Sequence, residues 1–177
     1  LLNIELPQLR SVDIGNIRKI KALLAIISTE VPMLVDITKL ATLTGIARTT
    51  ILAYLQYLHE AKLIRLLYSD DLSVKKMQKP DKILMENTNL LQALSLQVPN
   101  IGTMRETFFC NQLGYTHQVE YNKRGDYLID HKYVFEIGGK TKDGKQVANM
   151  ENAYIASDEC DYPIGNKLPL WLFGLMY

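Results

Sequence analysis

Residues 36–68 read DITKLATLTGIARTTILAYLQYLHEAKLIRLLY, and this stretch decides the fold of the N-terminal half. Asp36 caps a short helix from Ile37 to about Leu43, because its carboxylate accepts from the first backbone N–H groups, which have no partner inside the helix. Gly45 interrupts, and a further helix is predicted from about Ala47 to Ala61, with Ile51, Leu55 and Leu58 on its buried side. Sterics restrict Ala41, Gly45 and Ile51: the first must be small where two helices approach, the second takes the positive φ of a tight turn, and the last fills the space between helices. Together they predict a helix-turn-helix. After Lys62, the run Leu63–Tyr68 is short and apolar, Ser69-Asp70-Asp71 is a polar turn, and a second strand is expected around Ile83–Met85. That hairpin has the size and place of a wing.

Upstream, Asn16–Thr29 sets Ile17, Ile20, Leu23, Leu24 and Ile27 on one face of a leading helix, which Val31-Pro32 stops. Downstream, Asn87–Leu96 reads as a helix, Pro99-Asn100-Ile101-Gly102 as a break, and Thr103–Leu113 as a helix carrying Arg105 and Glu106. Strands are expected at Tyr115–Tyr121, Asp126–Ile129 and Tyr133–Gly138, the last two joined by a tight turn at Asp130-His131-Lys132. The terminal run Leu168–Tyr177 is apolar on both faces, which predicts a covered strand. The fold class is therefore α+β: a winged helix-turn-helix domain over residues 1–86, then a small α/β domain over residues 87–177.

Composition narrows the function classes. A chain 47% hydrophobic and 22% charged is a folded protein, not a disordered one. Residues 1–80 hold 11 Lys+Arg against 7 Asp+Glu, and residues 81–177 hold 9 against 12, so a net +1 conceals halves of +4 and −3. This favours a nucleic-acid face in the first half and excludes a polycation. Cys110 and Cys160 lack metal-ligand spacing and read as reduced thiols in a cytoplasmic setting. No apolar run approaches the ~18–20 residues that span a bilayer, so no membrane partner is expected. The chain opens on Leu1 without Met or signal-peptide pattern, and is expected to be a piece of a longer protein.

The segments GTMRETFFCNQL (residues 102–113), RGDYLIDHKYVFEIGGK (residues 124–140) and LPLWLFGLMY (residues 168–177) resemble the C-terminal region of a prokaryotic family of AAA+-type ATPases. In that family an ATPase domain precedes a winged helix and a domain similar to the PD-(D/E)XK restriction-endonuclease-like fold. The resemblance runs from about Asp36 onward and is most specific at FEIGGK. It implies an ATP-binding domain upstream, since no Gly-rich phosphate loop occurs here.

It also implies a site. Glu106 matches the helical acid, Asp126 and Glu136 the two strand acids that would hold Mg²⁺, and a lysine is expected two residues after Glu136. Gly138 stands there instead, and Lys140 begins about 6–7 Å farther along at ~3.3 Å per strand residue. The expectation is thus a DNA- or protein-binding module of a larger ATPase whose nuclease-like site (Glu106, Asp126, Glu136, Lys140) is degenerate, with a metal-dependent DNA nuclease as the alternative. Mg²⁺ is the cofactor such a site would take, through Asp126 and Glu136; ATP belongs only to the upstream domain. On the winged helix, Arg48, Thr49 and Thr50 lie where recognition helices meet bases and phosphates, and Lys75, Lys76 and Lys79 lie in the wing. A protein-binding winged helix with an idle groove face accounts for them equally well. His59, His117 and His131 are isolated in sequence and read as ordinary surface or core histidines, not ligands.

Overall fold

The structure is a computed structural model that describes residues 14–70 and 79–176. It is mixed α+β, and its contacts divide it into two units: Leu1–Leu66 with Lys82–Pro99, and Leu67–Asp81 with Asn100–Tyr177.

In the first unit, α1 (Ile14–Glu30) buries Ile17, Ile20, Leu23, Leu24 and Ile27, the face expected from helical spacing. Each such side chain contributes about 1.5–3 kcal/mol relative to exposure. A short strand β1 (Met33–Leu34) follows, and then α2 (Ile37–Thr44). Asp36 Oδ1 caps α2 by accepting from Thr38 N at 2.9 Å and Lys39 N at 3.0 Å. Gly45 ends the helix in the left-handed region at φ 66°, donating its N–H to Ala41 O. Helix α3 (Arg48–Glu60) buries Ile51, Tyr54, Leu55 and Leu58. β2 (Ile64–Leu67) and β3 (Lys82–Met85) join β1 in a sheet of order β1-β3-β2. The sequence reading began the second domain at residue 87, but α4 (Thr88–Leu94) belongs to the first unit, where Ser28 Oγ on α1 donates to Leu94 O at 2.9 Å.

The second unit opens with α5 (Ile101–Leu113), which starts two residues earlier than expected because Asn100 is its cap, accepting from Thr103 N at 2.8 Å. Its sheet runs β4 (Val119–Tyr121), β5 (Tyr127–Ile129), β6 (Tyr133–Gly138), β7 (Ala153–Ser157), β8 (Lys167–Pro169), in that spatial order. β4, β5 and β6 pair antiparallel, whereas β6, β7 and β8 pair parallel. An aromatic cluster packs at α5: Phe109 meets Tyr127, Phe135 and Phe173 at ring separations of 5.8, 5.1 and 4.8 Å. Alternation sends Leu128 and Val134 into a second cluster with Val147, Ala153 and Ile155.

Two expected strands are corrected. The Tyr115–Tyr121 strand is only Val119–Tyr121, and Tyr115 is exposed. The terminal run is strand only at Lys167–Pro169 and then a 3₁₀ helix, Leu170–Leu175. Its three-residue period buries Leu170 and Phe173 on one face and leaves Trp171 and Leu175 exposed. Apolar residues at every position had no alternation from which to distinguish the two forms. No helix among the described residues is long and apolar enough to cross a membrane.

Candidate active site

The β5–β6 register pairs Tyr127 with Phe135, and Asp126, one residue before β5, is hydrogen-bonded to β6 on either side of Glu136. Asp126 is fixed there by its N–H donating to Phe135 O at 2.8 Å and by its Oδ2 accepting from Ile137 N at 2.6 Å. Glu136 is 2% exposed. Its Oε1 lies 2.9 Å from Lys142 Nζ, while its Oε2 is buried with no hydrogen-bond partner. Glu106 projects from α5 and accepts a short hydrogen bond from the Tyr127 hydroxyl. Burial and the neighbouring Cys110 and Glu106 hold that phenol protonated far above its ordinary range.

The lysine of this group is Lys142, not the expected Lys140. Burial pulls the Lys142 ammonium down, but its hydrogen bond to Glu136 and the charges of Glu136, Asp126 and Glu106 outweigh that and hold it above the ordinary lysine value. Lys140 is exposed, and its recorded contact is through the backbone, its carbonyl accepting from Lys167 Nζ at 2.7 Å.

Gly138 explains the exchange. A Cβ built there would lie 2.8–2.9 Å from Lys142 Cβ, Cγ and Cδ, so the Lys142 stem lies across the space that a side chain at 138 would fill. The turn that returns it is closed by Lys142 N donating to Gly139 O at 3.1 Å. Gly139 makes similar room for Arg105, whose Nη1 would lie 3.1 Å from an added Cβ and whose Nε is bonded to Asp158 at 3.0 Å. Both glycines thus leave space for a cationic side chain that arrives from elsewhere in the chain. The signal in sequence was the second lysine in Gly138-Gly139-Lys140-Thr141-Lys142.

Glu106, Asp126 and Glu136 share the electrostatic field of Lys142 but do not form a closed cage. Among the described residues, the group of three His, Cys or acidic side chains whose ligand atoms lie within 4.8 Å of one another is Asp70, Glu120 and His131. In sequence His131 reads as an ordinary histidine, Asp70 as part of a polar turn, and Glu120 carries no signal of its own.

On α3 of the first unit, Arg48 and Thr49 are exposed and Thr50 is half-buried. Ala47 gives the helix no side-chain cap. Lys75 and Lys76 lie outside the described residues.

Residues 5–100, more than half of the chain, match the profile of a family described as a domain of unknown function, DUF8612. No curated protein and no solved structure matches the chain.

Proposed function

The chain belongs to the DUF8612 family, and we propose that its second unit is a metal-dependent phosphodiesterase acting on DNA, of the PD-(D/E)XK type. The observation that carries this reading is Lys142 filling the place of residue 138 beside Glu136. A missing lysine was the ground for expecting a degenerate site, and Lys142 removes that ground.

The residues fit a divalent cation. Glu136 Oε2 is a buried carboxylate oxygen with no hydrogen bond, and such an atom costs about 1–3 kcal/mol or more if left unsatisfied. Glu136 and Asp126 would hold the ion, with Glu106 adding negative charge from the helix side. Bound there, Mg²⁺ or Mn²⁺ supplies Lewis acidity toward a phosphate oxygen and lowers the pKa of a water. Lys142 brings a cation to the phosphate as negative charge develops on it. With 34% of its side chain exposed, it can leave Glu136 for that contact. Asp126, tied to the β6 backbone, keeps its carboxylate oriented without rearrangement.

In this reading the first unit is a winged helix that engages DNA through Arg48, Thr49 and Thr50, and the chain is part of a larger AAA+-type ATPase. The upstream reading frame tests the latter directly: a Gly-rich phosphate loop is expected in it.

The activity is tested by incubating the full chain with plasmid, linear duplex and single strands in Mg²⁺ and in Mn²⁺. Cleavage is expected, reduced about 100-fold or more in Asp126→Ala and Glu136→Ala and strongly reduced in Lys142→Met. No cleavage of any substrate by the unmodified chain would return the second unit to a binding role.

A further inference from the structure

Asp70, Glu120 and His131 come from three separate places in the second unit. Glu120 lies on β4, His131 in the β5–β6 turn, and Asp70 just after β2. The last is brought to β4 by Tyr121 N donating to Tyr68 O at 2.9 Å and by the bridge between Ser69 and Tyr121. His131 Nδ1 then lies 2.9 Å from Glu120 Oε2 and 3.2 Å from Asp70 Oδ1.

We propose that this group binds one divalent transition cation of the zinc and manganese class. The geometry sets two carboxylates from different elements against one imidazole nitrogen, more ligand atoms than a single ion pair needs. Glu120 Oε1 accepts from Gln118 Nε2 at 3.1 Å, while Oε2 is buried and faces the cluster, 2.9 Å from His131 Nδ1. The Glu120 side chain is only 12% exposed, so water does not readily serve that oxygen. A cation would accept lone pairs from all three atoms, which already lie within 4.8 Å of one another.

The spacing suits such an ion. Bonds of ~2.0–2.2 Å at tetrahedral angles put ligand atoms about 3.3–3.5 Å apart, a slight expansion of the 2.9 and 3.2 Å contacts seen. One imidazole nitrogen with two carboxylates favours Zn²⁺ or Mn²⁺ over Mg²⁺ and Ca²⁺, which take oxygen shells. Asp70 and His131 are about half exposed, leaving an open side for water to complete the coordination. The group shares no residue with Glu106, Asp126, Glu136 and Lys142, so it stands or falls independently of the nuclease reading.

The test is calorimetric titration of chelator-treated full chain with Zn²⁺, with Co²⁺ absorption as the coordination signature. One equivalent, distinct from any ion held at Asp126 and Glu136, is expected to bind with micromolar or tighter Kd and to raise Tm through preferential binding to the folded state. Asp70→Asn and His131→Asn should each weaken that equivalent tenfold or more. Asn tolerates the left-handed backbone found at His131, φ 54°, so the second variant removes the ligand without straining the turn. Glu136→Gln should leave the same equivalent in place. Absence of saturable Zn²⁺ binding, its persistence in both variants, or its loss in Glu136→Gln would overturn the proposal.

Discussion

Among the described residues, each unit buries a glutamate against a cation, and the two pairs behave differently. In the first, Arg65 Nη2 meets Glu86 Oε1 at 2.6 Å, with side chains 11% and 3% exposed. In the second, Lys142 meets Glu136 at 2.9 Å, with side chains 34% and 2% exposed. Both glutamates have an Oε2 that is buried without a hydrogen bond, so that property alone does not mark a site. The cation makes the difference. A buried planar guanidinium between adjacent strands is held in place, whereas an ammonium on a flexible stem with an open path can exchange its carboxylate for a ligand.

The largest effect expected from this contrast is on stability. Arg65→Met leaves Glu86 charged, buried and unpaired, and should cost about 3–5 kcal/mol in denaturant unfolding. Glu136→Gln frees only a lysine that already reaches water, and should be neutral or mildly stabilising. An equal loss in both variants would show that the pairs are alike.

Activity should sort the pairs in the opposite sense. Glu136→Gln should lower the initial rate of plasmid nicking about 100-fold or more, while Glu86→Gln should leave the rate per folded molecule unchanged. Gly138→Ala should act between these limits. Its Cβ would press on the Lys142 stem, with an overpacking cost of about 1–3 kcal/mol, and nicking should fall even where the protein stays folded. A Gly138→Ala variant with full activity would show that the route of the lysine across Gly138 is unimportant.

The smallest effect is on pH dependence. Because the folded-state pKa of Lys142 is raised, its pairing stabilises at every pH below the ordinary lysine value of 10.5 and is lost only as pH rises through the higher folded value. Unfolding curves of the wild type and Lys142→Met should therefore differ by a constant amount between pH 7 and 9 and converge only in strong alkali. Convergence near neutrality would contradict the charged pair.

The parts of this architecture legible in sequence are those that local chemistry settles. The buried face of α1 follows from helical spacing, the start of α2 from Asp36, and its end from Gly45, each within a few residues. The proximity of Asp126 and Glu136 could be read because a short turn joins β5 and β6 in a tight hairpin. Lys142 escaped because strand alternation stops at Gly138 and the turn after it decides which lysine returns. The group of Asp70, Glu120 and His131 escaped for a stronger reason: its members are distant in sequence and meet only once the sheet has formed. The 3₁₀ turn at Leu170–Leu175 escaped because uniform apolarity carries no period.

The division of the chain bears on how the protein can be cut. The path passes from the first unit to the second after Leu66, returns at Lys82, and leaves again after Pro99. The family match ends at residue 100, beside that last crossing. A single cut there looks like a domain boundary, yet it strands Leu67–Asp81 on the wrong fragment. The piece from residue 100 onward would lose Tyr68, whose carbonyl accepts from Tyr121 on the β4 edge, and Asp70 with it. Expression of the two halves as separate polypeptides is therefore expected to give one with a surplus strap and one with an unprotected sheet edge prone to self-association, which makes the undivided chain the unit to handle and to engineer.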